Sequence, residues 1–184
     1  MKKVILIIAI MLAAGLFSAC RDSDEGGSAG DGRATARLPF PTATDGFVFV
    51  HNGVTVVMGG TVHDTVQLPE FGAPLDLRHE PSCAFEGFDK SFIFADFLIE
   101  AFPFNDLYYV NMIVLRNDNV STREGLRIGM TYDDMVRLIG SGYAMASGAR
   151  HVQYTFARGG MRLEFLINND SVIEQISYHL NLPE

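Results

Sequence analysis

The chain of 184 residues carries 14 basic against 22 acidic side chains, a formal charge of −8, with 48% hydrophobic residues and 2 cysteines. That balance excludes nucleic acid as a partner, because affinity for a phosphate backbone is supplied by lysine and arginine, and it excludes a miniature fold stapled by disulfides. A chain of this length can instead rely on a core of its own, burying about two thirds of its unfolded surface.

Residues 1–19 read as an export signal. Lys2 and Lys3 give a basic start, an apolar run follows from Val4, and Ser18-Ala19 offers small residues for cleavage. The run is shorter than the ~20 residues of a spanning helix. Leu16-Phe17-Ser18-Ala19-Cys20 resembles a bacterial lipoprotein signal, with Phe17 standing where that motif carries a small aliphatic residue. The resemblance implies that Cys20 becomes the acylated N-terminus and that palmitate-type chains hold the protein to a membrane on its extracytoplasmic side. An ordinary secretory signal or an uncleaved anchor is the alternative. Without residues 1–19 there are 12 basic and 22 acidic residues, a net charge of −10. Anionic lipid therefore offers the folded part no attraction, and the lipid on Cys20 alone does the anchoring.

Residues 20–45 form a tether, rich in Gly, Ser, Ala, Thr and Asp, with Pro39 and Pro41 near its end and little to bury. As a flexible coil it spans about 28 Å. The folded part divides into 46–120 and 121–184. It opens with two β-rich runs, 47–51 and 54–58, around Asn52-Gly53, a pair whose tolerance of positive φ predicts a hairpin.

Residues 60–68 then line up without gaps on 130–138, with Thr61 on Thr131, Asp64 on Asp134, Val66 on Val136 and Leu68 on Leu138. Strands are predicted after each stretch, at 91–95, 97–102 and 108–115 in the first segment and at 153–157, 161–167 and 172–180 in the second. The expected fold is α+β: two tandem helix-strand-strand-strand repeats, preceded by the hairpin, building antiparallel sheet with short helices on one face. Pro69 falls within the first helix, lacking an N–H and crowding the preceding turn, so that helix is expected to be short or broken.

The second helix is the best-specified element. Thr131 is an N-cap and Asp134 its capping-box partner, with Asp133 beside it at the positive end of the dipole. Tyr132, Met135, Val136 and Ile139 make one apolar stripe, and Gly140 ends it. Gly125-Leu126-Arg127-Ile128-Gly129-Met130-Thr131, with Asp134, Val136 and Gly140, resembles the glycine-start helix of tandem-repeat bacterial lipoproteins of uncharacterised function. These are similar in plan to beta-lactamase inhibitory protein and to small outer-membrane-assembly lipoproteins. Residues 82–90 resemble a segment of Firmicutes lipoproteins of that build. The chain departs at Ser141-Gly142, where a residue-proline pair is usual, at Pro69, and in lacking the inhibitor's paired cysteines.

Chemistry is sparse. Cys83 with His79 is a conceivable nucleophile and base, but a cysteine between Ser82 and Ala84-Phe85 reads more simply as a small buried hydrophobe, inert, and unpaired once Cys20 is lipidated. Asp133 and Asp134 are accounted for by the helix start. Glu86, Asp89 and Lys90 suggest an ion pair holding a turn. His51, His63, His79, His151 and His179 show no ligand spacing, so no metal or cofactor is expected, and the chain is not expected to be an enzyme. Phe97, Phe102, Phe104, Tyr108 and Tyr109 are more aromatics than one sheet face can bury. They are the candidate binding surface of a module for an extracytoplasmic protein or wall polymer, a core buried on both sides being the alternative. A structural envelope-assembly factor or a Cys83-dependent enzyme are the other functional readings.

Overall fold

Asn52 (φ +49°) and Gly53 (φ +80°) place the first turn of the chain, joining β1 (Phe49–His51) to β2 (Val54–Val56) in an antiparallel hairpin. The computed structural model describes residues 46–182. The signal, Cys20 and the tether lie outside the described residues.

The remaining strands form one antiparallel sheet. In the first half these are β3 (Asp76–Pro81), β4 (Phe88–Ile93), β5 (Phe97–Phe104) and β6 (Leu107–Leu115). In the second they are β7 (Ala144–Ser147), β8 (His151–Arg158), β9 (Met161–Asn168) and β10 (Ile173–Leu180). Their order is β3-β4-β5-β6-β10-β9-β8-β7, two four-stranded meanders joined through their last strands, with Leu115 opposite Ile176 and Met112 opposite His179. Among the described residues a single α-helix, α1 (Tyr132–Ile139), accompanies them.

The α+β expectation of tandem helix-strand-strand-strand repeats is overturned: the described chain is mainly β, with one helix and four strands per half. The two strands missed are the sheet's edges. β3 reads Asp-Leu-Arg-His-Glu-Pro and is exposed throughout, while β7 reads Ala-Met-Ala-Ser. Neither has the β-branched or aromatic residues that mark a half-buried strand. β4 also begins earlier than its apolar residues suggest, because Asp89 and Lys90 are part of it.

The helix expected at 61–69 is absent for a local reason. Residue 65, the counterpart of buried Met135, is Thr65, whose hydroxyl donates to the Thr61 carbonyl (2.9 Å) and competes with helical pairing. Pro69 then stands where α1 has Ile139, and a proline ring there meets the carbonyl of the residue four before it, again Thr65. The segment contracts into turns, with the Thr65 N–H on Val62 and the Leu68 N–H on Thr65, and ends in a 3₁₀ turn at Pro69–Phe71.

Strand alternation puts the core on one face of the sheet. Met161, Leu163, Phe165 and Ile167 of β9 are buried, as are Phe97, Ile99 and Ala101 of β5. The hairpin lies across this face, with the Phe49 ring 5.0 Å from Phe97 and 6.1 Å from Tyr178. Over the second meander α1 supplies the cover. Met135 is fully buried, a contribution of about 1.5–3 kcal/mol, and the Tyr132 hydroxyl meets that of Tyr143 at 2.6 Å. That contact, with burial, pushes the Tyr132 phenol up to about 12. Thr131 caps the helix: its hydroxyl accepts the Asp134 N–H at 3.2 Å and donates to the Asp134 carboxylate at 2.8 Å. Arg137, then Thr131, hold that carboxyl down at about 2.

Candidate functional site

The five aromatics singled out from the sequence do not form one exposed surface. Phe97, Phe102 and Tyr109 are buried, whereas Phe104 and Tyr108 are half-buried. Both sides of the sheet are covered at this point. Phe97 faces the core side among Phe49, Phe71 and Phe94. Alternation turns Phe102 to the other side, where Phe85 of the β3–β4 loop folds back and stacks on it at 4.5 Å.

That loop also holds Cys83, which is exposed and disulfide-bonded, no cysteine being free among the described residues. The expectation of a buried, lone thiol is corrected on both counts. The segment stands out beyond the sheet, turned by the Ser82 hydroxyl, which accepts the N–H groups of Ala84 and Phe85.

The uncovered part of the molecule lies on the core side of the first meander. Where α1 shields β8 and β9, the contracted turn at 61–71 stops short of β3 and the start of β4. Three of the six exposed large hydrophobic residues among those described lie here, Leu75 (75% exposed), Leu77 and Phe88, and a fourth, Leu107, lies at the adjoining end of β6. Leu77 sits opposite Phe92 and His79 opposite Lys90, so these side chains share the face that elsewhere is core. Two hollows open beside them. One, of about 300 Å³, is lined by Thr61, Val62, His63, Gln67, Lys90, Phe92, Asp106, Leu107 and Tyr108. The other, of about 390 Å³, is lined by Val66, Leu68, Pro69, Gly72, Ala73 and Pro74, and the two share Gln67 and Phe92 as a common wall.

Lys90 is the polar centre of this groove. Its ammonium lies 3.6 Å from the centre of the Tyr108 ring, a cation–π contact worth about 0.5–1 kcal/mol when partly exposed. The ion pair expected between it and Glu86 or Asp89 is not formed, because strand alternation puts Asp89 on the opposite face from Lys90. On the rim, Asp64 is held below the usual carboxylate range by the Thr61 hydroxyl and then by His63. Tyr108 is therefore the one member of the sequence-derived aromatic set that lines the groove; Thr131 and Asp134 belong to the helix start.

Away from the Phe85–Phe102 stack, the outer face of the sheet carries a polar band. A row runs across it from Arg78 through Ser91, Glu100, Met112 and His179 to Arg162. Burial, then Asp89 and Glu80, push the Glu100 carboxyl up, and Asp89 is raised by burial and by Glu80. At the other end His179 Nε2 lies 2.9 Å from the Ser177 hydroxyl and 3.4 Å from Glu164. Serine and carboxylate thus meet the same ring nitrogen, unlike a relay in which a carboxylate orients the other one, and Ser177 is only 3% exposed. Among the described residues no group of three His, Cys, Asp or Glu is placed to hold a metal ion.

The class this defines is a single antiparallel sheet, covered on one face by a hairpin, a helix and a turn. No protein-family model and no curated protein matches the chain. Solved structures similar to it include a DUF4309 family protein from Bacillus subtilis, at 15% identity over 71% of this chain and 86% of that one, with a TM-score of 0.45. Another is an extracellular protein containing a SCP domain from Bacillus anthracis, at 13% identity and a TM-score of 0.46. That match covers 67% of this chain and 44% of the other, so the chain spans less than half the length of that protein. Likeness of this degree assigns neither ligand nor activity. No helix among the described residues is long and apolar enough to cross a membrane.

Proposed function

We propose that this chain is an extracytoplasmic binding module that docks another extracytoplasmic protein in the groove of its first meander. The observation that supports it is the uncovered core-side face, where Leu75, Leu77, Phe88 and Leu107 stay in solvent beside two hollows. Exposed apolar residues gathered beside a concavity are the usual mark of a protein-binding surface, whereas scattered ones are not. Three of the four are leucines, and aliphatic side chains favour a protein partner over a wall polymer, whose hydroxyls call for polar partners. Anchoring by a lipid on Cys20 is suggested by residues 1–20 alone, and the disulfide of Cys83 stands against it.

The test is site-specific photo-crosslinking of the full chain in intact cells. A photoreactive residue at Leu77 or Phe88 should give a discrete adduct, and one at Met145, exposed on the second meander, should not. Equal crosslinking from both meanders, or none from the first, sinks the docking reading. Anchoring is decided separately by the mass of the peptide that bears Cys20. One sulfur cannot carry both a lipid thioether and a disulfide, and the chain has only 2 cysteines.

A further inference from the structure

Resting on that reading of the groove, we infer that the partner presents a carboxylate to Lys90 and an apolar side chain to the adjoining hollow. Lys90 is the only lysine beyond residue 3, in a chain with 22 acidic residues. Among the described residues it nevertheless forms no ion pair; its ammonium rests on the Tyr108 ring instead. An unpaired, half-buried cation in so acidic a protein attracts an anion from outside, and desolvation on docking strengthens the pairing.

The surroundings agree with this. His79 lies opposite Lys90 in the strand register, and His63 lines the same hollow. Asp64 is already engaged by Thr61 and His63. Asp106 opposes the inference, since it lines the hollow and is exposed on the β5–β6 turn. Its charge sets a rim penalty that an anionic partner must overcome, which makes it a diagnostic position. The second hollow is walled by Val66, Leu68, Pro69, Pro74 and Phe92 and shares Gln67 with the first, so acid and apolar group must be close neighbours in the partner.

The experiment is selection of phage-displayed linear peptides on the full chain, followed by titration of the enriched peptides. They should carry Asp or Glu beside a large apolar residue. Lys90→Met should weaken them roughly tenfold or more, Asp106→Asn should tighten them, and amidation of the peptide's acid should act like Lys90→Met. Peptides that are lost in Leu77→Asp but indifferent to Lys90→Met and to amidation overturn the carboxylate while leaving the groove as the docking site. Peptides indifferent to Leu77→Asp as well, or a selection without binders, overturn both.

Discussion

Residues 59–71 and 129–140 begin in the same way and end differently, and the groove is the difference. In each, a glycine of positive φ, Gly59 (+76°) or Gly129 (+88°), starts a short stretch of backbone pairing. Gly59 donates to Val110, Val110 to Gly60 and Val62 to Tyr108; Gly129 donates to Ile173, Ile173 to Met130 and Tyr132 to Ser171. Thr61 and Thr131 then engage Asp64 and Asp134 alike. Beyond that point one segment has methionine and isoleucine where the other has threonine and proline. The first becomes a helix that seals its half of the sheet, the second a turn that leaves its half open. Identical entry bonds do not make a helix; an anchoring side chain and an available N–H do.

The sharpest way to break this comparison is to remove the anchor. Met135→Ala should cost about 2–5 kcal/mol, the range for emptying a fully buried site, read from denaturant midpoints at constant slope. A cost near that of a surface change would mean that α1 is held by something else. The converse substitution, Thr65→Met with Pro69→Ile, lifts a proline penalty of about 3 kcal/mol from a would-be helix. It should raise the far-ultraviolet helical signal and abolish crosslinking from Leu77. Next comes the cap: Thr131→Ala should cost about 1 kcal/mol and Thr61→Ala about half of that, since no helix follows Thr61. Equal costs would show that the shared Thr–Asp turn matters more than what comes after it.

The smallest expected effect is in pH. Asp134 has a folded pKa of about 2, below its ordinary value, so its contribution is complete above the unfolded pKa and is lost only as pH falls through about 2. Glu100 is shifted the other way, raised by burial, Asp89 and Glu80, so its ionisation disfavours the folded first meander as pH rises through the unfolded value. Glu100→Gln should therefore stabilise slightly at neutral pH, with the gain vanishing below the unfolded pKa. Melting curves at several pH values measure this, and a gain that persists in acid would assign it to packing.

Where the sequence was legible, the reason is local. Asn52-Gly53 can hardly do other than turn, and Thr131 with Asp134 followed by a stripe ending at Gly140 leaves little choice but a helix. The edge strands were not legible because exposed strands need no hydrophobic alternation; β3 carries three charges and β7 only small residues and a methionine. The break at Pro69 was legible, but its consequence was not: an uncovered face is made by what a segment fails to reach, and Leu75, Leu77 and Phe88 carry no local sign of it. Of the two readings of the aromatic set, burial favours the core covered on both sides, because Phe85, distant in sequence from Phe102, returns to cover it.

The seam between β6 and β10 also orders the folding of the chain in time. Within each meander short turns close neighbouring strands, but Leu115 must find Ile176 across the whole second half. Contacts of such long range are the slow ones. As a chain grows from its N-terminus, the first meander is complete while β10 does not yet exist. Until it arrives, β6 is an open edge bearing Ile113 and Leu115, the kind of strand that recruits a foreign one. A longer delay before that edge is closed is expected to increase the share of the protein lost to aggregation, whatever the final stability of the sheet.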